Sequence, residues 1–335
     1  MKSVRLVIPD LFLPKDIAAE VCANLQLPAL EKMLARGRGE VLPSKPLENH
    51  LCALFDVPFQ HDVPVAPVSA AFDGLPAGNW FRADPVHLNI QRDQLLLSSL
   101  QPDDEEAAGF CVSLNAHFAD QGMKFFSPHP QRWYVQMDTL PSIQTMPLSA
   151  VIGANVRDAL PTGTDAIRWH QFSNEIQMLL FDHPLNQARE ARGKLPINSI
   201  WLWGAGKSGS LDCENYDWVS SDDVLLEMFA MAVAVPFKTW SKQWEDVGSE
   251  GRQLLVWSGL SLALQDGDLV AWRSALQDFE VGYAQPLWHA LRIGKLAQLQ
   301  IDIMSGGDMR CWHLKRGDTW AFWRRIRKLE EYSLV

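Results

Sequence analysis

Residues 183–207 read HPLNQAREARGKLPINSIWLWGAGK, and this stretch decides the expected fold more than any other. Its second half contains an aliphatic and aromatic run, 197–203, that is typical of a buried strand. Residues 204–208 follow as Gly-Ala-Gly-Lys-Ser, where backbone amides and a lysine would suit phosphate oxygens. A nucleotide-binding phosphate loop needs another glycine five residues before Gly206. Trp201 occupies that position, so the sequence argues against such a loop.

The N-terminus supplies another strand, with a carboxylate at its end. Residues 4–8 form a short apolar run that predicts a buried strand, and Pro9 and Asp10 follow it directly. Ligands of α/β proteins bind at the carboxyl ends of such strands. Helical patterns follow at 16–25 and 30–34, and helices and strands continue to alternate along the chain. We therefore expect a mixed α/β protein.

Composition excludes several classes of protein. The 335 residues are 47% hydrophobic and carry 30 Lys and Arg against 40 Asp and Glu, a formal net charge of −10. Because there is no concentrated positive block and no apolar run of about 20 residues, we expect no nucleic-acid partner and no membrane association. The N-terminal residues lack the pattern of a secretory leader, which favours a cytoplasmic location. The five cysteines form no Cys-x-x-Cys pair, so we expect reduced thiols.

The stretch 183–207 resembles the archaeal-type cofactor-independent phosphoglycerate mutases, whose corresponding stretch reads H-P-V-N, a basic residue, then G-x-P-A-N-A-I-x-L-R-G-A-G. Further segments resemble elements of this family, or of the alkaline phosphatase superfamily that contains it, in the same order along the chain. These segments are the strand ending in Asp10, the helix beginning Leu27-Pro28-Ala29-Leu30, the strand with Arg132, and Asn174-Glu175. The whole chain is still more similar to a proteobacterial group named RpfE-type regulatory proteins.

This resemblance implies a fold and a domain organisation. It implies an α/β, alkaline-phosphatase-like core with a mostly parallel sheet and helices on both faces, formed by residues 1–75 and 196–335. A smaller α+β lobe, residues 76–195, is then inserted into the core and corresponds to the family's substrate-holding region. The segment 58–85 is rich in Pro, Ala, Asp and Gly without a sustained period, and we place the domain crossing there.

The resemblance also implies catalysis by a serine held between two divalent metal ions, and here the sequence departs from the family. Where the family has P-G-S-D-T-A-H, residues 43–52 offer one hydroxyl, that of Ser44, out of register. The family's C-terminal D-T-N and G-H-D-G metal elements have no counterpart, and Trp203 replaces a family arginine. Asp10 is left as a vestigial metal ligand, and one carboxylate does not hold Mg²⁺ or Mn²⁺ against its hydration shell.

Two functions therefore follow from the resemblance. In the first, the chain has lost two-metal catalysis, needs no cofactor and acts as a regulatory or small-anion-sensing pseudoenzyme. In the alternative, it is an active mutase or phosphatase that interconverts 2-phosphoglycerate and 3-phosphoglycerate. That alternative needs Mn or Mg bound by ligands that the motifs do not reveal.

A phosphorylated or carboxylated small molecule is the expected ligand of the inserted lobe. Guanidinium groups suit phosphate and carboxylate oxygens, and several arginines fall in the stretches that resemble the substrate-holding region. The candidate anion-binding residues are Arg82, Arg92, Arg132, His183, Asn186, Arg189 and Asn198. The alternative for the arginines is ion pairing with the acidic surplus. For the histidine and asparagines it is hydrogen bonding to turns of the local backbone.

The C-terminal residues are basic and aromatic. Residues 312–328 contain three tryptophans, a phenylalanine and several arginines, and they predict a helix whose aromatic side chains pack inward while its cations stay in solvent. Stacked Trp and Arg side chains alternatively bind single-stranded nucleic acid or anionic lipid. Because Trp and Arg are enriched at protein interfaces, a protein partner for this region is a further alternative.

Overall fold

The computed structural model describes residues 2–43, 45–92, 94–245, 250–305 and 308–333. Its strands are β1 Ser3–Pro9, β2 Arg38–Pro43, β3 Asn79–Gln91, β4 Gln94–Ser99, β5 Met123–His129, β6 Arg132–Met137, β7 Ile143–Gln144, β8 Thr162–Gly163, β9 Ser199–Lys207, β10 Trp218–Ser221, β11 Phe237–Thr239, β12 Arg252–Val256, β13 Gln298–Ser305 and β14 Asp308–Lys315. Its helices are α1 Lys15–Val21, α2 Pro28–Arg36, α3 Leu47–Leu54, α4 Val65–Phe72, α5 Asp104–His117, α6 Ala166–Phe181, α7 Pro184–Ala191, α8 Val224–Ala232, α9 Gly259–Gln265, α10 Leu269–Phe279 and α11 Gln285–Ile293. Among these described helices, none has the length and apolar character that a bilayer span requires.

The chain forms two compact units, Met1–Leu47 with Cys213–Val335, and Glu48–Asp212. The sequence suggested boundaries after residues 75 and 195, so the second unit extends further in both directions than the expected lobe. The reason is the pairing of β9 with β3, together with the packing of α4 against both strands. These contacts keep residues 48–75 and 196–212 with the inserted segment.

The first unit is built on a seven-stranded sheet in the order β11-β10-β12-β1-β13-β14-β2. The first five strands are parallel to one another, and β14 and β2 continue the sheet in antiparallel pairing. Val7 and Ile8 point to opposite faces of central β1, and each is 0% exposed, so both faces of the sheet are covered. The expected mixed α/β fold with a mostly parallel sheet is confirmed.

Helices α1, α2, α9, α10 and α11 contribute to the main core of the first unit. Leu6 and Ile8 from β1 belong to the same buried cluster as Trp272 and Leu287 from this helical layer. Asp268 fixes the start of α10, because its carboxylate accepts the backbone N–H of Ala271 at 2.8 Å. On this frame the ends of the parallel strands are held in register.

The second unit contains an antiparallel sheet in the order β4-β3-β6-β5, and β9 also pairs with β3. Phe81 on β3 packs in a buried cluster with Phe110 of α5 and Ile176 of α6. A smaller cluster joins α4 to Trp80 of β3. The acidic run at 103–106 starts α5 through a capping box, in which Asp103 and Glu106 each accept the other's backbone N–H.

The C-terminal residues differ from the expected inward-packed helix. They form short 3-10 turns at Arg316–Trp320 and Leu329–Tyr332 joined by irregular backbone. Trp312 on β14 is buried, but Trp320, Phe322 and Trp323 are 65%, 79% and 73% exposed. The predicted inward packing is wrong for these three side chains, and the buried residues of this stretch are Thr319 and Ala321, which alternate with Trp320 and Phe322.

Candidate functional site

Four neighbouring parallel strands of the first unit, β10, β12, β1 and β13, end at one edge of the sheet. Asp222, Ser258 and Asp10 lie just beyond β10, β12 and β1, and Ser305 is the last residue of β13. Ligands of open α/β sheets bind outside the carboxyl ends of their strands. This edge is therefore the first candidate site, and it includes the aspartate that the sequence singled out.

The backbone of Asp10 is held in place by two hydrogen bonds. Its φ of +58° lies in the left-handed region, which Asp and Asn adopt more readily than most residues. Its N–H donates to the Met304 carbonyl at 2.7 Å, and its carbonyl accepts the indole N–H of Trp272 at 3.1 Å. Burial raises the pKa of the Asp10 carboxyl, and a hydrogen bond with Ser261 opposes this rise only in part.

The two other carboxylates at this edge stabilise nearby backbone. Asp222 accepts the N–H of Ser258 at 2.7 Å, which ties the end of β10 to the start of α9. Asp223 is the N-cap of α8 and accepts the N–H of Leu225 at 2.8 Å. Partial burial raises the pKa of the Asp223 carboxyl. Both side chains therefore have structural partners already.

A chain of buried and half-buried polar groups runs through the second unit and contains two of the candidate arginines. Arg132 donates through Nε and Nη2 to both carboxylate oxygens of Asp73, at 2.9 and 2.7 Å. The hydroxyl of Tyr134 donates to the same carboxylate at 2.5 Å and also contacts Ser69. Arg82 reaches the chain from the other end, since its Nη1 donates to the Ser69 hydroxyl at 3.1 Å. Burial opposes ionisation of Asp73, but the bonds from Arg132 and Tyr134 hold its pKa below the ordinary value.

Arg82 ends this chain in a forked contact with Asp84. Its Nη2 and Nε donate to Asp84 Oδ1 at 2.6 and 3.1 Å, and the indole N–H of Trp203 donates to Oδ2 at 2.7 Å. The guanidinium carbon also lies 5.4 Å from the ring centroids of both Tyr134 and Trp203. Burial lowers the pKa of Arg82, but the Asp84 carboxylate outweighs that effect and raises it overall. Arg82 and Arg132 are thus brought together, each with a carboxylate partner.

Arg189 forms a separate buried ion pair. Its Nη1 lies 2.5 Å from Glu106 Oε2, and its Nε donates to the Leu195 carbonyl at 2.9 Å. Both side chains of the pair are almost fully buried, at 3% and 5% exposure. Glu106 also belongs to the capping box of α5, so this pair joins α5 to α7 and to the segment that leads into β9.

The histidine and the asparagines of the candidate set bind backbone groups, which for Asn198 lie 110 positions away in sequence. Asn186 bridges two segments, because its amide donates to the Leu180 and Ile197 carbonyls at 2.7 and 2.8 Å and accepts the Ile197 N–H at 2.8 Å. His183 is the N-cap of α7, and burial lowers the pKa of its imidazole. Asn198 bonds both the N–H and the carbonyl of Leu88 on β3, at 2.7 and 2.9 Å.

Arg92 differs from the other candidates in its surroundings. It lies in the turn between β3 and β4, where its side chain is exposed and its φ is +54°. It is not part of the buried chain that contains Arg82 and Arg132. The seven candidate residues therefore do not form a single site within the second unit.

The Gly-Ala-Gly sequence lies inside β9 and not in a loop after it. Gly204 has a φ of +71°, and a Cβ on Gly206 would lie only 2.4 Å from the Cβ of Pro64. The N–H of Ala205 donates to the buried carboxylate of Asp62 at 3.2 Å. The glycines thus allow the segment before α4 to lie against β9, and the amide of Ala205 is used within the fold.

The second unit also contains a cavity that the sequence analysis missed. Its volume is about 510 Å³, a size typical of ligand pockets. Its charged and aromatic lining residues are Asp120, Asp138, Asp165, Arg168, Trp169, Phe172 and Glu175. These residues lie between positions 120 and 175 on several elements, so no local motif could have identified them.

Comparison with known proteins relates this geometry to a family. A probable 2,3-bisphosphoglycerate-independent phosphoglycerate mutase of Geobacter sulfurreducens is 29% identical over 150 residues, which is 43% of this chain and 38% of that relative. An enzyme of the same name from Methanosarcina barkeri is 27% identical over 106 residues, 31% of this chain and 27% of that relative. The matches therefore span well under half the length of these relatives. No family model matches the chain.

Two solved structures have the same fold along almost the whole chain. The cofactor-independent phosphoglycerate mutase from Thermoplasma acidophilum superposes with a TM-score of 0.50 at 15% identity, covering 99% of this chain and 95% of that one. A protein from Pyrococcus horikoshii superposes with a TM-score of 0.55 at 13% identity, covering 99% and 92%. The chain is similar in sequence to these mutases over part of its length and is phosphoglycerate-mutase-like in fold. The expected mixed α/β architecture with a mostly parallel sheet is the one these two structures share.

The residues of this mutase-like chain do not fit the two-metal site that the resemblance implies. Divalent Mg²⁺ and Mn²⁺ need several oxygen or imidazole ligands that converge on each ion. Within residues 2–43, 45–92, 94–245, 250–305 and 308–333, no group of three or more His, Cys, Asp or Glu side chains is placed to bind an ion. The acids at the sheet edge instead hold backbone N–H groups and the Ser261 hydroxyl. Ser44 lies outside the described residues.

The mutase-like chain should become more stable when Asp10 is replaced by Asn. The raised pKa means that folding favours the neutral carboxyl, so ionised Asp10 destabilises the folded state. This destabilisation grows as pH rises from the ordinary pKa of Asp to the higher pKa of the folded state. Asn is neutral, tolerates a positive φ and retains an oxygen that accepts from Ser261. Thermal unfolding followed by circular dichroism should show a higher Tm for Asp10→Asn at pH 7. The two proteins should converge below about pH 4.

Asp56→Asn is the matched control for this comparison. Asp56 also has a positive φ, +52°, but its side chain is exposed, so its replacement should change Tm much less. A lower Tm for Asp10→Asn at pH 7 would mean that the ionised carboxylate stabilises the fold through a partner.

Proposed function

We propose that this chain is a regulatory protein that has a mutase-like fold but does not transfer phosphoryl groups by two-metal catalysis. The proposal rests on one observation: the acidic side chains at the carboxyl edge of the first unit's sheet already bind groups of the protein. Asp222 and Asp223 hold backbone N–H groups, and Asp10 has Ser261 as its partner. A two-metal mechanism requires these oxygens to face the ions.

The arginine pairs of the second unit also support a role other than mutase catalysis. A phosphate that binds Arg82, Arg132 or Arg189 must compete with Asp84, Asp73 or Glu106 for the guanidinium groups. Breaking a buried pair leaves an uncompensated carboxylate, which is strongly unfavourable. These arginines therefore act as structural groups in our proposal.

A metal-binding and turnover experiment tests the proposal. The purified chain is exchanged into manganese buffer, its bound Mn is measured by elemental analysis, and the interconversion of 2-phosphoglycerate and 3-phosphoglycerate is followed on the same sample. A cofactor-independent mutase treated identically is the positive control. We expect no stoichiometric Mn and no turnover. Two Mn ions per chain with turnover that Asp10→Asn abolishes would overturn the proposal in favour of an active mutase.

Small-anion sensing remains a prediction for this regulatory protein, and Arg92 is the exposed residue to test. If an anion binds the folded chain, 3-phosphoglycerate at millimolar concentration should raise Tm. The rise should be smaller in Arg92→Gln, because the guanidinium is removed from an exposed turn. A Tm that does not respond to 3-phosphoglycerate, or to inorganic phosphate in the same series, would contradict sensing of these anions.

A further inference from the structure

A surface patch near the C-terminus consists of four exposed apolar side chains, those of Trp320, Phe322, Trp323 and Ile326. We call these residues the C-terminal patch. They lie within seven consecutive positions, and Phe322 and Trp323 contact each other edge to face with their centroids 5.3 Å apart. Monomeric proteins expose single apolar residues routinely, but a contiguous aromatic patch marks an interaction site.

The backbone beneath the patch is anchored, so the exposed side chains are held outward. Thr319 and Ala321 are buried and alternate with the exposed aromatic residues. Nη1 of Arg36 donates to the Thr319 carbonyl at 2.5 Å. Arg324 donates in the opposite sense, to the carbonyls of Arg36 and Gly37 at 2.6 and 3.0 Å. The patch is therefore an ordered part of the first unit and not a loose tail.

Cationic side chains surround the C-terminal patch. Residues 315–333 contain six Lys and Arg residues and three acidic residues, in a chain whose overall charge is −10. Arg325 lies 3.7 Å from Glu331, and Lys328 lies 3.4 Å from Glu31. The first pair is exposed and therefore weak, whereas Glu31 in the second pair is almost buried, at 6% exposure. The segment still has more cations than carboxylates, and Arg325 and Arg327 lie exposed beside the patch, so an excess of positive charge is available to an anionic partner.

We propose that the C-terminal patch binds the surface of an anionic lipid membrane. Tryptophan and phenylalanine side chains that protrude beside arginines suit the headgroup region, where an aromatic ring meets both apolar and polar surroundings. Lys and Arg beside them are attracted to acidic headgroups. The acidic remainder of the chain opposes this weakly, because repulsion is screened beyond about 8 Å at physiological salt.

A protein partner is the weaker alternative for this surface. A stable protein interface buries roughly 800 Å² on each side, with a well-packed centre. The C-terminal patch offers four neighbouring protruding side chains on one short segment, and a bilayer interface accepts such side chains without a complementary pocket. The sequence predicted no membrane association because it has no apolar run of about 20 residues and no concentrated positive block, and it also predicted that these aromatic groups pack inside. Peripheral binding requires no membrane-spanning helix, and the aromatic groups are exposed.

Vesicle co-sedimentation with the full chain tests the proposal. The probe vesicles contain equal parts of phosphatidylserine and phosphatidylcholine, and the reference vesicles contain phosphatidylcholine alone. We expect binding to the first and at least about tenfold less to the second, with binding that falls as salt rises. The double variant Trp320→Ala and Trp323→Ala, and separately Arg325→Gln with Arg327→Gln, should each lose binding about tenfold or more.

Matched controls come from exposed positions of the second unit. Phe181→Ala removes an aromatic group that is 78% exposed, and Arg168→Gln removes an exposed cation; both should leave binding unchanged. Unchanged Tm in every variant verifies folding. Absence of binding by the intact chain, equal binding to neutral vesicles, or full binding by both double variants would each overturn the proposal. If the chain does not bind vesicles but its C-terminal patch binds a labelled peptide of alternating Glu and Phe, the proposal is overturned and the partner is an acidic protein segment.

Discussion

Replacing Arg189 by Met is expected to lower the free energy of unfolding by about 3–5 kcal/mol. The substitution keeps much of the side-chain volume but removes the close cation of the buried Glu106 carboxylate and leaves it the more distant Arg192, 3.8 Å away. It also removes the donor to the Leu195 carbonyl, so the segment that leads into β9 loses an anchor. Urea unfolding followed by circular dichroism measures the loss.

A double substitution is the control for Arg189→Met. It separates the effect of losing the ion pair from the effect of changing the side chain at position 189. Arg189→Met together with Glu106→Gln removes both charges while the amide still accepts at the start of α5, so it should recover part of the lost stability. Arg192→Met removes the second and more distant cation of Glu106, which is 57% exposed, and should cost less than about 1 kcal/mol. A loss below about 1 kcal/mol for Arg189→Met would show that its guanidinium is free to bind another anion.

Arg82→Met should have an effect of similar size, about 3–5 kcal/mol, for the same physical reason. The variant leaves the Trp203 indole as the side-chain donor to Asp84 among the described residues, and Ser69 loses a donor. It also removes the cation between the Tyr134 and Trp203 rings. Because the stranded carboxylate is most costly when ionised, the loss should be greatest near neutral pH and smaller in acid. Urea unfolding at several pH values measures this dependence.

Asp84→Asn added to Arg82→Met provides the companion experiment. It neutralises the stranded group, so the double variant should be more stable than Arg82→Met alone at pH 7. Arg168→Met removes an exposed arginine of the same unit and should change stability little. If Arg82→Met were as stable as the wild-type chain but lost a Tm response to 3-phosphoglycerate, Arg82 would be an anion-binding residue and our structural assignment would be wrong.

Local pattern was sufficient for the elements whose neighbours are close in sequence. The apolar run at 4–8 predicts β1, and Asp10 follows it at the sheet edge because strand ends in a parallel sheet lie together. The cap formed by His183 fits the sequence His-Pro, since proline favours the first position of a helix. Arg82 and Asp84 stand two positions apart on one strand, so their contact on one face also follows from the sequence.

Local sequence patterns could not predict the ion pairs between residues that are far apart in sequence. Arg132 pairs with Asp73, which is 59 positions away in sequence, and Arg189 pairs with Glu106, which is 83 positions away. Such partners depend on how α4 and α5 pack on the sheet, which no local period encodes. The sequence therefore supplied candidate arginines without the carboxylates that pair with them. It could not decide between anion binding and internal pairing.

The outward-facing C-terminal aromatics illustrate a second limit. Alternation of buried and exposed residues at 319–322 is a period-two pattern outside any strand, and aromatic content alone favours the interior. The hydrogen bonds between this segment and the residues before β2 decide the orientation. They join positions almost 300 residues apart, and only the folded chain reveals them.

The position of β1 in its sheet has a consequence for synthesis on the ribosome. β1 is synthesised before every other strand of its sheet, but it lies between β12 and β13, which come far later in the sequence. At the usual rates of translation, its apolar side chains wait on the order of tens of seconds for their neighbours. The unit Glu48–Asp212 is continuous in sequence and has all its strands by the time Lys207 emerges. The nascent first unit should therefore depend on chaperones that shield β1, while the second unit is already able to fold.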